Sequence, residues 1–195
     1  NYLVYQDYAS QMVALVMKPK KKDKILDMCS APGSKAFHIA SLLENDCSIT
    51  ACDIYEHKTK LIEDEAKRLG VTCIKTITCN SALYDFNELY DCVLLDAPCS
   101  GLGVMKHKCD LKYHITFKDI EDIIILKKSL LGKASKVVKT GGILVYSTCT
   151  INKQENEEMI KYFLKKHKEF EIIETKNYLP TDKHDGFFIC KMIKK

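Results

Sequence analysis

The sequence is nearly devoid of arginine. Arg68 is the only one, so almost all the positive charge is lysine. Lysine meets phosphate as a mobile point charge, without the bidentate fork of arginine. A net charge of +4 permits a polyanionic partner without requiring one, and any grip on it is expected to depend strongly on salt. No apolar run is long enough to cross a membrane, and no secretory signal precedes the first strand-like segment. A cytoplasmic place and no membrane partner are therefore expected. The ten cysteines include no CxxC pair, which argues against a zinc framework, and no metal is expected. Without an export signal they read as thiols rather than disulfides. Cys52, Cys73 and Cys92 lie in apolar strand-like runs and read as small core residues. Internal repeats, low-complexity tracts and a GxGxxG motif are also missing.

What is present suits one compact α/β domain: 195 residues, 46% hydrophobic and 29% charged. The chain opens on Asn1 rather than Met, and we expect a fragment of a longer protein. Residues 1–23 read as a lead-in, with Lys18–Lys24 a solvated basic turn. Beyond them, apolar runs alternate with helical patterns, which predicts a mostly parallel sheet with helices on both faces. Strands are expected at 24–28, 48–53, 71–77, 90–95, 143–147, 169–173 and 187–193. Helices are expected from Ser34 to Leu43 and over a face marked by Leu61, Ile62, Ala66 and Leu69, closed by Gly70. A third is expected over 120–138, ended by Gly141-Gly142. A fourth is expected to be capped by Asn152, with Glu155 as its box-like partner, and to bury Met159, Ile160, Phe163 and Leu164. The stretch from Ala97 to Thr116 is too long for an ordinary connection, and loops of that length are usually functional.

In an open parallel sheet, ligands bind beyond the carboxyl ends of the strands. Three features converge there. In the turn Cys29-Ser30-Ala31-Pro32-Gly33-Ser34-Lys35, Gly33 permits close backbone approach, and the helix start beyond it favours a carboxylate. Asp53, ending the second strand, can accept both hydroxyls of a ribose. Asp96 ends the fourth strand at the same crevice. A turn with one glycine, and with a proline that removes a donor, is poorly built for a pyrophosphate. That tilts the choice from a nicotinamide dinucleotide toward a ligand without phosphates, such as S-adenosylmethionine.

Two cysteines follow neighbouring strands at this edge, Cys99 in Asp96-Ala97-Pro98-Cys99-Ser100-Gly101 and Cys149 in Ser147-Thr148-Cys149-Thr150. Thiols suit methylation of a pyrimidine carbon. Adding a thiolate to carbon 6 of cytosine makes carbon 5 nucleophilic, and a second group must then help release the product. A nucleophilic cysteine needs a nearby cation or helix N-terminus. The helix expected after Cys149 and the amine of Lys35 are the candidates. Asp96 can bond the amino and ring-nitrogen edge of the base as charge develops.

These stretches resemble the Sun/Fmu (RsmB-type) RNA cytosine-C5 methyltransferases. The likeness runs through Leu26-Asp27-Met28-Cys29-Ser30-Ala31-Pro32-Gly33-Ser34-Lys35, Leu95-Asp96-Ala97-Pro98-Cys99-Ser100-Gly101 and Tyr146-Ser147-Thr148-Cys149-Thr150-Ile151, then Glu155-Asn156-Glu157. The opening Tyr5-Gln6-Asp7-Tyr8-Ala9-Ser10 and the ending Asp185-Gly186-Phe187-Phe188 also fit, so the whole chain is covered in order. The resemblance implies a Rossmann-like class I S-adenosylmethionine-dependent fold. It implies that Cys29 to Lys35 cradle the methionine part of the cofactor, that Asp53 binds the ribose, and that Asp96 lies between cofactor and base. It assigns Cys149 as nucleophile and Cys99 as the aid to release, whereas DNA cytosine methyltransferases attack from their proline-cysteine motif. Asn80 stands where the family usually has an aspartate near the adenine, and Ser30 and Ser34 stand where alanine and glycine are commoner. Lys106 and Lys112 are expected RNA contacts, in a loop with lysine for arginine and Cys109 for proline. The family's upstream RNA-binding region is expected to be absent.

The implied substrate is RNA, by family default small-subunit ribosomal RNA, with transfer RNA as the alternative, and the implied state is a monomer. A cofactor-binding module of ribosome assembly with weak activity is the other reading. An amino-group methyltransferase would carry an Asn/Asp-Pro-Pro-aromatic turn and need no thiol.

Overall fold

The computed structural model describes residues 6–106 and 115–195. Its strands are β1 Lys24–Asp27, β2 Ser48–Asp53, β3 Ile74–Thr78, β4 Tyr90–Asp96, β5 Val138–Thr148, β6 Phe170–Tyr178 and β7 Phe187–Lys194. The helices are α1 Tyr8–Met17, α2 Ser34–Leu42, α3 Glu56–Leu69, α4 Phe117–Val137 and α5 Glu157–Lys166. The strands form one sheet in the order β3-β2-β1-β4-β5-β7-β6. β7 runs antiparallel to both its neighbours, and the rest of the sheet is parallel.

The central strands are apolar on both faces because both are covered. Along β4, Val93 and Leu95 point toward α4 and α5, packing with Leu130, Leu131, Ala134 and Phe163. Cys92 and Leu94 point the other way, onto Val13 and Met17 of α1 and Ile39 of α2. α3 joins that second layer through Ile62 and Ala66 against Ala51. The order reverses between β1 and β4, so the crevice of the switch point opens at their carboxyl ends.

The sheet, its strand number and the two helical layers agree with the alternation in the sequence. Gly70 caps α3 in the left-handed conformation, as expected, with its N–H on the Ala66 and Lys67 carbonyls. Several boundaries differ. The lead-in contains α1, capped by Asp7, whose Oδ1 accepts from the Ala9 and Ser10 N–H groups. Leu61 is exposed, and Thr59 takes its place on the buried face of α3. β3 starts at Ile74, which leaves Cys73 ahead of it and half-buried. Gly141-Gly142 does not end the helix. α4 ends at Val137, and Val138 already pairs with Tyr90. The two glycines sit in the register shift before Ile143, where Gly141 takes a φ of +77°.

Candidate active site

The first turn leaves β1 at Asp27 and enters α2 at Ser34, with Gly33 between them at φ +97°. Ser30 N–H donates to the Cys52 carbonyl at 2.8 Å, tying the turn to β2. A Cβ on Gly33 would meet the Phe37 ring at 2.7 Å, so the position is closed to other residues on two counts. Cys29, Asp53 and Asn80 line one cavity of about 350 Å³ with Pro98 and Leu126. Asp53 Oδ1 accepts from the Tyr55 N–H at 3.1 Å, and Asn80 Oδ1 from the Ala82 N–H at 3.1 Å. Pro32 is exposed, Ala31 half-buried and Ser30 buried. Ser34 and Lys35 face a second cavity of about 260 Å³, together with Asp96, Cys149 and Phe187. The two ends of the turn thus line different cavities.

Sequence reasoning gave no role to Asp27. It is buried, and neither its carboxylate oxygens nor the Ser30 hydroxyl makes a hydrogen bond of good geometry, although Ser30 lies close enough to favour the charged form. Burial pushes the Asp27 carboxyl up to about 7, aided by the nearby charge of Asp96. An acid closing an apolar strand just before the ligand turn was the available signal.

The register Leu95↔Tyr146 and Asp96↔Ser147 sets the reactive end. It puts Cys99 and Cys149 on adjacent loops, with Sγ atoms 3.1 Å apart. Asp96 is held from both sides: Ser147 Oγ donates to Oδ1 at 2.7 Å, and Lys35 Nζ lies 2.7 Å from Oδ2. Burial opposes the charge on Lys35, but the Asp96 carboxylate more than offsets it and the pKa is raised. Lys35 Nζ also lies 5.6 Å from the centre of the Phe187 ring, within cation–π range.

The sulfurs titrate as a pair. Their mutual hydrogen bond lowers Cys99 despite its burial, with help from the Lys127 charge. The same bond, then burial, raises Cys149. Of the two sulfurs, Cys99 is therefore the more readily ionised. This corrects the expected source of activation. α5 begins at Glu157, well beyond Cys149, and Asn152 does not cap it. Asn152 instead forms a local turn, its Oδ1 accepting from the Gln154 N–H at 3.0 Å. Glu155 lies buried ahead of the helix. Cys149 therefore has Cys99 and Lys35 as its electrostatic partners, not a helix start.

Of the expected RNA contacts, Lys106 pairs with Asp182 at 2.7 Å on the surface, and Lys112 lies outside the described residues, as does Cys109. The nine cysteines among the described residues are all free thiols.

Comparison with known proteins gives the family. The family model for the 16S rRNA methyltransferase RsmB/F matches residues 14–193. A probable ribosomal RNA small subunit methyltransferase B of Bacillus subtilis (strain 168) is 40% identical over 97% of this chain and 47% of its own length. A tRNA (cytosine(72)-C(5))-methyltransferase of Pyrococcus horikoshii is 36% identical over 100% of this chain and 53% of its own. The solved structure of NSun6 from Pyrococcus horikoshii with SFG superposes with a TM-score of 0.89 at 35% identity, covering 97% of this chain and 52% of that one. The chain thus spans about half the length of the curated relatives it matches. On a match that runs from residue 14 to residue 193, the chain belongs to the RsmB/F family of 16S rRNA methyltransferases.

Proposed function

We propose that this chain is the catalytic unit of an S-adenosylmethionine-dependent RNA cytosine-C5 methyltransferase, with Cys149 as the nucleophile. The observation that carries the reading is the pair of sulfurs 3.1 Å apart beside the Lys35–Asp96 ion pair. The residues present fit the cofactor. The orphaned Asp27 carboxylate and Ser30 hydroxyl suit the polar groups of an amino acid, and Asp53 in the 350 Å³ cavity suits a ribose. Cys29 to Lys35 would hold the methionine end, and Asn80 would meet the adenine. When bound, S-adenosylmethionine supplies an electrophilic methyl group on its sulfonium.

The chain's own residues do the rest. Cys99 takes the Cys149 proton, and the freed Cys149 thiolate adds to carbon 6 of the cytosine. Asp96, oriented by Ser147 and Lys35, accepts from the cytosine amino group, and the Lys35 ammonium beside it offsets the negative charge that builds on the ring. Once carbon 5 carries the methyl group, Cys99, its acquired proton passed to solvent, is placed to take the carbon-5 proton as the bond from Cys149 to carbon 6 breaks. Lys106 and Lys112 would contact the RNA backbone.

Small-subunit ribosomal RNA is the proposed substrate, in line with the name of the Bacillus subtilis relative, and the tRNA methyltransferase among the relatives makes transfer RNA the second reading. The proposed setting is the cytoplasm and the proposed state a monomer. Among the described residues, no helix is long and apolar enough to cross a membrane.

The test uses two variants. Cys149→Ala should lose turnover while still binding S-adenosylhomocysteine in a calorimeter. Cys99→Ala should accumulate a covalent protein–RNA adduct, seen as a retarded band on a denaturing gel. Turnover by Cys149→Ala at the parent rate would end the proposal.

A further inference from the structure

Lys127 on α4 and Glu155 ahead of α5 form a fully buried ion pair, Nζ to Oε2 2.8 Å. Burying two charges usually gains less than packing apolar residues in the same space. Stability of the fold is therefore a poor account of the pair, and its other contacts offer a better one. Glu155 accepts from the Ser100 N–H at 3.0 Å and from the Ser100 hydroxyl. It also meets the Thr150 hydroxyl at 3.4 Å and the Asn152 side-chain amide at 3.3 Å. The Ser100 and Thr150 hydroxyls bond each other at 2.9 Å.

Ser100 directly follows Cys99, and Thr150 directly follows Cys149. One carboxylate thus grips the residue after each reactive sulfur, across two loops that leave different strands. Lys127 holds the carboxylate from a third element, and the Tyr146 hydroxyl fixes the Glu155 main chain by donating to its carbonyl at 2.6 Å. Burial opposes the charge on Glu155, yet Lys127 and Ser100 keep its pKa below the ordinary carboxylate value. The carboxylate therefore stays an acceptor throughout the neutral range.

We propose that Glu155, anchored by Lys127, is a positioning residue that clamps the two cysteine loops and sets the separation of the Cys99 and Cys149 sulfurs. It is fully buried and lines neither the cavity of Asp53 nor that of Cys149. The idea rests on the reading of these thiols as the reacting pair, but its test does not need turnover.

The diazene oxidant diamide couples adjacent thiols. Two S–H protons leave, an S–S bond forms, and the two electrons reduce the N=N bond to a hydrazine. The protein offers an internal reference, because the Cys47 and Cys73 sulfurs lie 3.5 Å apart and Glu155 makes no contact with either. Coupling at both pairs can be followed by mass mapping of quenched digests. With Glu155→Gln, the Cys99–Cys149 bond should form about tenfold more slowly, since a reach loosened by an ångström costs rates of that order or more. Coupling of Cys47 to Cys73 should keep the parent rate. The charge-free double variant Lys127→Met/Glu155→Gln should behave the same way when rates are compared at equal thiolate fraction from their pH profiles, because Lys127 also lowers Cys99. Ser100→Ala leaves no buried charge unpaired and should slow coupling by about fivefold, since the hydroxyl's bonds to Glu155 and Thr150 are lost while the main-chain bond to Glu155 survives. In steady-state assays, kcat should fall in Glu155→Gln while S-adenosylhomocysteine affinity stays put.

Parent-rate coupling of Cys99 to Cys149 in Ser100→Ala and in either Glu155 variant would overturn the clamp. That result would leave the nucleophile assignment standing, and turnover by Cys149→Ala would leave the clamp standing.

Discussion

A single methyl group at Gly103 probes how the three loops around the thiols are joined. Gly103 N–H donates to the Cys149 carbonyl at 3.0 Å, and Gly186 N–H donates to the Gly103 carbonyl at 2.9 Å. The loop after β4, the loop after β5 and the entry to β7 are thus laced through one residue. A Cβ on Gly103 would sit 2.2 Å from the Gly186 oxygen and 2.8 Å from the Cys149 oxygen. Both obstacles are main chain, so no side chain can swing aside. Gly103→Ala must break or stretch both bonds, at about 1 kcal/mol each, and strain the packing by about 1–3 kcal/mol more. The sum is about 3–5 kcal/mol. At about 2–4 °C per kcal/mol for a domain of this size, Tm should fall by about 6–20 °C. Turnover measured well below that Tm should fall about a hundredfold, because Cys149 moves with its carbonyl. Gly132→Ala is the control. It lies within α4 with nothing within 4 Å of its Cβ position, and it should stabilise by about 0.5–1 kcal/mol. Thermal melts and methyl transfer from labelled cofactor give both quantities. A Gly103→Ala protein with the parent Tm and turnover would show that the loops are not coupled in this way.

Two further predictions concern the cofactor turn. Asp27 has a native pKa raised from 3.8 to about 7, so between those values the folded chain holds a proton that the unfolded chain has released. Its contribution is fully present below the window and is lost as pH rises through it. The loss is on the order of 4 kcal/mol across those roughly three units. Asp27→Asn should flatten the fall in urea-melt stability between about pH 4 and pH 7, and an unchanged slope would refute the burial argument. Asp53→Ala removes the acceptor expected for the ribose, and S-adenosylhomocysteine affinity should weaken about 10–100-fold by calorimetry. Affinity within about twofold of the parent would move the ribose elsewhere.

The local parts of this protein were legible in its residues. Strand-turn-helix signals, the capping glycine Gly70 and the positions of Cys99 and Cys149 after apolar runs depend on near neighbours. They read correctly because backbone preference and period-2 burial act over a few residues. The lead-in helix α1 was missed because it is short and its stability comes from packing on α2, β5 and β7, not from its own sequence. Asn152 was misread for a related reason. A side chain that can cap a helix can equally close a turn, and the tertiary pull on Glu155 decides which.

Residue types, their order and the family are fixed by the chain itself. The sulfur–sulfur distance, the orphaned Asp27 carboxylate and the Lys127–Glu155 pair joining residues 28 apart in sequence are not. Each depends on strand register and on how helices close over the sheet, which bring together groups that no local rule relates. Burial then changes what those groups do, because charge and hydrogen bonding count for far more once water is excluded.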